Sequence, residues 1–220
     1  NRASLEGTGP FTTADHAEFA AKIHAEKPDV LIVTGDCGET CIAEEYLADF
    51  CGVYKNPHGE SICIPGNHDC WLGRDEKRTC WEKYEWFFEV VQRNGWIGLR
   101  DNIWQKDGIV VAGNMGWYDF SSADPMFSLT PAEWDARRAW SDYNMMEMKS
   151  AIEVEKKIMA EFKKSLSLVP TERKALIIIS HFIGFPRLMA DEFPRPDSGA
   201  AFMGNYEIGK LVAAADCQYY

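Results

Sequence analysis

Four short apolar runs punctuate the chain, and each is closed by residues suited to chemistry rather than packing. Asp29 to Thr34 reads as a buried strand ending in Gly35-Asp36. Ser61 to Ile64 reads as a second strand, broken by Pro65-Gly66 and followed by Asn67-His68-Asp69. Asn102 to Ala112 has the pattern of a hairpin around Lys106-Asp107-Gly108, and its returning strand runs into Gly113-Asn114-Met115-Gly116-Trp117-Tyr118-Asp119. Ala175 to Ser180 is a continuous apolar strand that ends in His181. Continuous apolar runs of this length fit strands buried on both faces.

Helical spacing fills the intervals. Ala14 to Glu26 places His16, Phe19, Ala20 and Ile23 on one face, with Thr12 or Thr13 as a cap and Pro28 as the stop. Glu39 to Phe50 is a second helix. Asp75 to Arg93 is a longer one, with Trp81, Tyr84, Phe88 and Val91 at helical spacing and Gly95 as its C-terminal cap. Residues 121–147 read as irregular with a short helix after Pro131, and Met148 to Leu166 as an amphipathic helix. A long Pro- and Gly-containing loop spans 184–206. Glu207 to Ala215 is a last helix, and residues 216–220 resemble the start of a further strand. The α-β-α-β alternation predicts parallel strands joined by helical crossovers. The first helix lacks the strand that a crossover would leave, so a flanking strand is expected to be missing at each end of a single 1–220 domain.

Composition narrows the class. At 220 residues the chain is long enough for a full core, and 46% apolar residues with eight Trp argue for a packed protein. No apolar run approaches the ~18 residues of a membrane span, so no membrane partner is expected. The net charge of −11 argues against a nucleic-acid partner held by phosphate contacts. It leaves room for a phosphorylated substrate, because bound divalent cations reverse the local sign. Seven cysteines without a framework fit reduced thiols in a cytoplasmic protein.

The strand ends carry the chemistry. A carboxylate such as Asp36 can bridge two cations ~3.5–4 Å apart, or it can simply follow Gly35 as a turn residue. Asn67 offers a neutral oxygen suited to Mn²⁺, Mg²⁺ or Zn²⁺, or it completes the Pro65-Gly66 turn. His68 is a candidate ligand or general acid, with Asp69 as its carboxylate partner or as a helix cap. His181 is either a ligand or a core histidine, whereas His16, His24 and His58 are read as structural or solvated. Cys37 and Cys41 have a spacing open to metal or redox chemistry, against burial as small apolar residues.

Gly35-Asp36, then Gly66-Asn67-His68-Asp69, then His181 after an Ile-rich strand resemble the calcineurin-like metallophosphoesterases. The loop Gly113–Asp119 is similar to a Gly…Trp-Tyr-Asp stretch of some bacterial members. The resemblance implies a four-layer α-β-β-α sandwich of two mixed sheets flanked by helices. It implies two divalent metals (Mn²⁺, Fe²⁺/³⁺ or Zn²⁺), with Asp36 bridging both and Asn67 and His181 on the second. His68 would protonate the leaving group, Asp69 would orient His68, and a metal-bound hydroxide would attack phosphorus. Substrates would be phosphorylated small molecules, nucleotides or phosphoproteins, as monoesters or diesters.

The family's opening Asp-x-His and closing Gly-His-x-His blocks are absent. Asp15-His16 is adjacent rather than spaced and does not replace the first. The chain as given is therefore expected to hold at most one weakly bound metal, through Asp36, Asn67 and His181. The competing readings are an inert member of the fold serving as a scaffold, and a thiol or zinc protein built on Cys37 and Cys41.

Overall fold

The computed structural model describes residues 13–38, 42–185, 188 and 199–220. The expected cap at Thr12, the first residues of the helix expected at 39–50, Cys41 and most of the loop at 184–206 lie outside the described residues. The chain forms an α/β structure of two sheets flanked by helices, in two compact units, residues 1–98 and 99–220.

In the first unit, α1 (Thr13–Ala25), β1 (Val30–Val33), α2 (Glu44–Tyr54), β2 (Glu60–Cys63), α3 (Cys80–Arg93) and β3 (Ile97–Gly98) follow one another. The strands pair in the order β1-β2-β3, all parallel, with Val33 opposite Cys63. Parallel pairing puts the carboxyl ends of β1 and β2 side by side, which is what the two strand-end motifs require. Leu47, Cys51, Phe87, Val90 and Trp96 form the centre of the core, and Ala20 joins it from α1.

Three expectations shift here. Helix α2 starts at Glu44, because Ala43 is extended and the acidic pair Glu44-Glu45 suits the positive end of the helix dipole. It then runs through Gly52, which is exposed with open space beside it and tolerated mid-helix. Helix α3 starts at Cys80, because Thr79 and Glu82 form a reciprocal capping box. Phe19 is 57% exposed on α1, set edge-on against Tyr54. His16 bonds the Tyr54 hydroxyl at 2.7 Å, in keeping with a structural role.

The second unit contains β4 (Ile103–Lys106), β5 (Ile109–Gly113), α4 (Pro131–Arg137), α5 (Ser141–Met145), α6 (Ala151–Ser167), β6 (Ala175–Ile179) and α7 (Tyr206–Ala214). Strands β4 and β5 form the expected hairpin, with Asp107 (φ +53°) and Gly108 (φ +85°) both left-handed, as a tight two-residue turn needs. Strand β6 pairs with β5 in parallel, so this sheet is mixed while the described strands of the first are not. Residues 218–219 pair alongside β6, with the Ile178 amide on the Tyr219 carbonyl at 3.0 Å.

Val110, Ala112, Leu176 and Ile178 meet Met159 and Phe162 of α6 and Ile208 and Val212 of α7 in the core. Ser165 on α6 is buried and bridges the chain entering β4 to the end of β5. It accepts the Gly113 amide at 3.0 Å and donates to the Asn102 carbonyl at 2.8 Å. Ser165→Ala leaves that buried amide without an acceptor and is expected to cost about 1–3 kcal/mol, measured by urea unfolding of the variant against the parent.

Candidate active site

In the first unit the backbone brings the two strand-end loops into direct contact. Gly35 sits at φ +94°, and a Cβ there would lie 2.3 Å from the Gly66 amide nitrogen, so only glycine permits the approach. Asp36 follows in the left-handed region at φ +53°, exposed to solvent. Pro65 ends the apolar run after β2, and Asn67 leads into a single 3-10 turn over His68–Cys70.

Asp69 lies inside this pair of loops, fully buried. One carboxylate oxygen accepts the Cys37 amide at 3.0 Å and the other the Gly66 amide at 2.8 Å, so a single side chain holds the β1 loop to the β2 loop. Burial pushes its carboxyl up to about 7, opposed by the Gly66 amide, reinforced by the Asp36 charge, and opposed again by the Cys37 amide. Each oxygen thus takes a backbone amide, and the carboxylate ties the two loops together beside His68.

His68 is also held by groups other than its neighbour in the chain. Its amide donates to Asp36 Oδ1 at 3.2 Å, and its ring stacks on Trp71 with centroids 3.8 Å apart and planes 23° from parallel. Trp71 in turn donates its own amide to the His68 carbonyl at 3.1 Å. Sequence reasoning missed Trp71, because an aromatic residue just past a turn has no periodicity to mark it. Asn67 is 7% exposed and lies directly beside this pair. Asp36, Asn67, His68 and Asp69 thus come together in one unit.

Asp36 and Asn67 offer hard oxygen donors on neighbouring loops, which fits a divalent cation such as Mn²⁺ or Mg²⁺. Among the described residues, no group of three His, Cys, Asp or Glu side chains is placed to hold a metal ion. Cys37 is buried, and desolvation with the Asp69 charge pushes its thiol well above the ordinary range. Such a thiol packs as a small apolar side chain.

His181 stands in the second unit, where the chain leaves β6. Its amide donates to the Met115 carbonyl at 3.0 Å, and the Phe182 amide shares that acceptor at 3.3 Å. Its ring meets Phe182 edge-on at 5.2 Å, and Phe182 is packed against Trp117 and Tyr118. The loop 113–119, singled out by its sequence, therefore supplies the carbonyl that fixes the His181 backbone. Gly113 (φ +125°) begins that loop, and a Cβ there would strike the Ile179 carbonyl at 2.0 Å.

The calcineurin-like phosphoesterase family model matches residues 9–183, most of the chain and both strand-end motifs. This chain belongs to the calcineurin-like phosphoesterase family. Among solved structures it is similar to a phosphopantetheinyl hydrolase from Mycobacterium tuberculosis, with a TM-score of 0.68 at 17% identity, over 86% of this chain and 71% of that one. That likeness is one of fold. No curated protein sequence matches the chain. Membership supports phosphoester hydrolysis in general, and divalent metals are typical of the family. No helix among the described residues is long and apolar enough to cross a membrane.

The role of Asp69 can be checked directly. Asp69→Asn replaces one acceptor oxygen with an amino group facing a backbone N–H. It is expected to destabilise the protein by about 2–4 kcal/mol, measured by chemical unfolding without added metal. A variant as stable as the parent, and impaired only in turnover, would give Asp69 the role of orienting His68 alone.

Proposed function

We propose that the chain hydrolyses phosphate esters, with His68 as the acid that protonates the leaving-group oxygen and Asp36, Asn67 and His181 as metal ligands. The observation that carries this reading is the junction of two parallel strand ends, where the His68 amide rests on Asp36 and Asn67 lies alongside. Open α/β sheets bind ligands at such carboxyl ends. Divalent cations, when bound, neutralise charge on the phosphoryl oxygens and lower the pKa of coordinated water.

The rest of the task falls to the chain. The Asp69 carboxylate and Gly35 keep Asp36 and Asn67 at one edge. Trp71 limits rotation of the His68 imidazole, so that a ring nitrogen can be presented to the departing alkoxide with little orientational search. The proton then passes from His68 to the ester oxygen as its bond to phosphorus breaks and a water oxygen bonds to phosphorus in its place, releasing a proton to solvent, and the imidazole is reprotonated from solvent.

The substrate is proposed as a phosphorylated small molecule, nucleotide or phosphoprotein. The acidic composition disfavours long nucleic acids. The similar solved structure is a phosphopantetheinyl hydrolase, a name compatible with a phosphate-ester substrate. Free thiols at Cys37, Cys51, Cys63 and Cys70, all buried, support a reducing compartment and hence the cytoplasm.

The test is metal content by mass spectrometry, with hydrolysis of p-nitrophenyl phosphate and its bis ester in Mn²⁺ by the protein in its natural full length. Cleavage of either ester with metal bound is expected. No metal and no cleavage would leave an inert member of the fold. His68→Ala is expected to lower kcat by ~10²–10⁴-fold with metal content unchanged. Trp71→Ala, which frees the ring but keeps it, should lower kcat by about tenfold with KM little altered.

A further inference from the structure

We propose that Tyr220 is a positioning residue for His181, its hydroxyl fastening the turn that carries this histidine out of β6. The inference rests on the reading of His181 as a metal ligand.

The Tyr220 hydroxyl lies in a small ring of polar groups drawn from both sides of His181. Ser180 Oγ is 2.6 Å from it, and the Gly184 amide donates to it at 2.9 Å. The hydroxyl reaches the Phe182 carbonyl at 3.3 Å, which Ser180 Oγ also reaches at 2.7 Å. One oxygen thus ties together residues 180 and 182, which flank His181, and residue 184. On the other side, the Met115 carbonyl takes the amides of His181 and Phe182. The backbone of His181 is therefore held from two directions. The Met115 anchor is a backbone group common to any residue at that position, whereas the Tyr220 anchor depends on one side-chain oxygen.

That oxygen is not needed to dock the segment that bears it. The amides of Gln218 and Tyr219 both donate to the Leu176 carbonyl, Ile178 donates to the Tyr219 carbonyl, and Gln218 Oε1 accepts the Leu176 amide at 2.7 Å. The Tyr220 ring packs edge-on against Phe185 at 5.3 Å, a contact that phenylalanine would keep. What the hydroxyl adds is restraint of the turn. A ligand's orientation is set by the groups that hold it from outside the coordination shell, and losing one such group typically costs ~10–100-fold in metal affinity.

Tyr220→Phe removes this single atom. Mn²⁺ alone is titrated into the parent, Tyr220→Phe, Ser180→Ala and His181→Ala, with free Mn²⁺ followed by electron paramagnetic resonance. Amide exchange over residues 181–184 is measured in parallel, without metal. The expected result is about a tenfold weaker Mn²⁺ affinity in Tyr220→Phe, with a smaller loss in Ser180→Ala and the largest in His181→Ala. Faster exchange at Gly184 should accompany it, while thermal stability changes little. Tyr219→Phe, at a 65% exposed neighbour, should change neither readout. A parent that binds Mn²⁺, weakened by His181→Ala but equally tight in Tyr220→Phe, overturns this proposal and leaves the metal reading intact. A parent that binds no Mn²⁺, or whose affinity is indifferent to His181→Ala, overturns the assignment of His181 and this proposal with it. Unprotected Gly184 in the parent overturns the clamp itself.

Discussion

A single buried carboxylate organises the candidate site. Sequestering an ionised Asp from water costs several kcal/mol unless its oxygens are hydrogen-bonded, and Asp69 meets that requirement with amides from two separate loops. The Cys37 amide belongs to the loop after β1 and the Gly66 amide to the loop after β2. Satisfying the charge therefore means bringing the loops together. Glycine at position 35 allows the approach, the left-handed turn at Asp36 carries its carboxylate out to solvent, and the His68 amide meets that carboxylate. Each feature would be costly alone, and together they are mutually supporting.

The second unit achieves precision by other means. Its candidate histidine, His181, follows a strand whose partner, β5, runs into a loop that offers the Met115 carbonyl to two successive amides. Ser165 holds the start of that loop from α6, and the aromatic packing of Trp117, Tyr118 and Phe182 excludes water around it. Backbone carbonyls and hydroxyls, rather than a buried charge, do the positioning here. In both units the candidate residues sit two to five positions past the end of a parallel strand. This is the arrangement expected of a phosphoester hydrolase that uses strand-borne ligands.

Much of this was legible along the chain because parallel buried strands leave continuous apolar runs, and the residues just beyond them are conspicuous when they are polar. The strands at 30–33, 60–63, 109–113 and 175–179 were found for that reason, and the motifs at Asp36, Asn67 and His68 with them. Three helices start later than their periodicity predicts, at Glu44, Cys80 and Ala151. The capping box of Thr79 and Glu82 was present in the sequence but outweighed by the apolar periodicity, and Ala43 carries no capping signal. Strand β3 was missed because two residues are too few to show a pattern, and its neighbour Trp96 is held by a bond from its indole to the Cys51 carbonyl.

The sequence by itself determined the class of fold, the order of most of its elements and the candidate residues at the strand ends, since these depend on composition and spacing read locally. Only the tertiary structure shows the partners of Asp69, Trp71 and Tyr220. Their partners lie at Cys37, across the His68 ring and around residues 180–184. An Asp beside a His reads as its orienting partner along the chain. In space, backbone amides compete for the same oxygens, and the burial of that carboxylate makes those amides its obligatory partners.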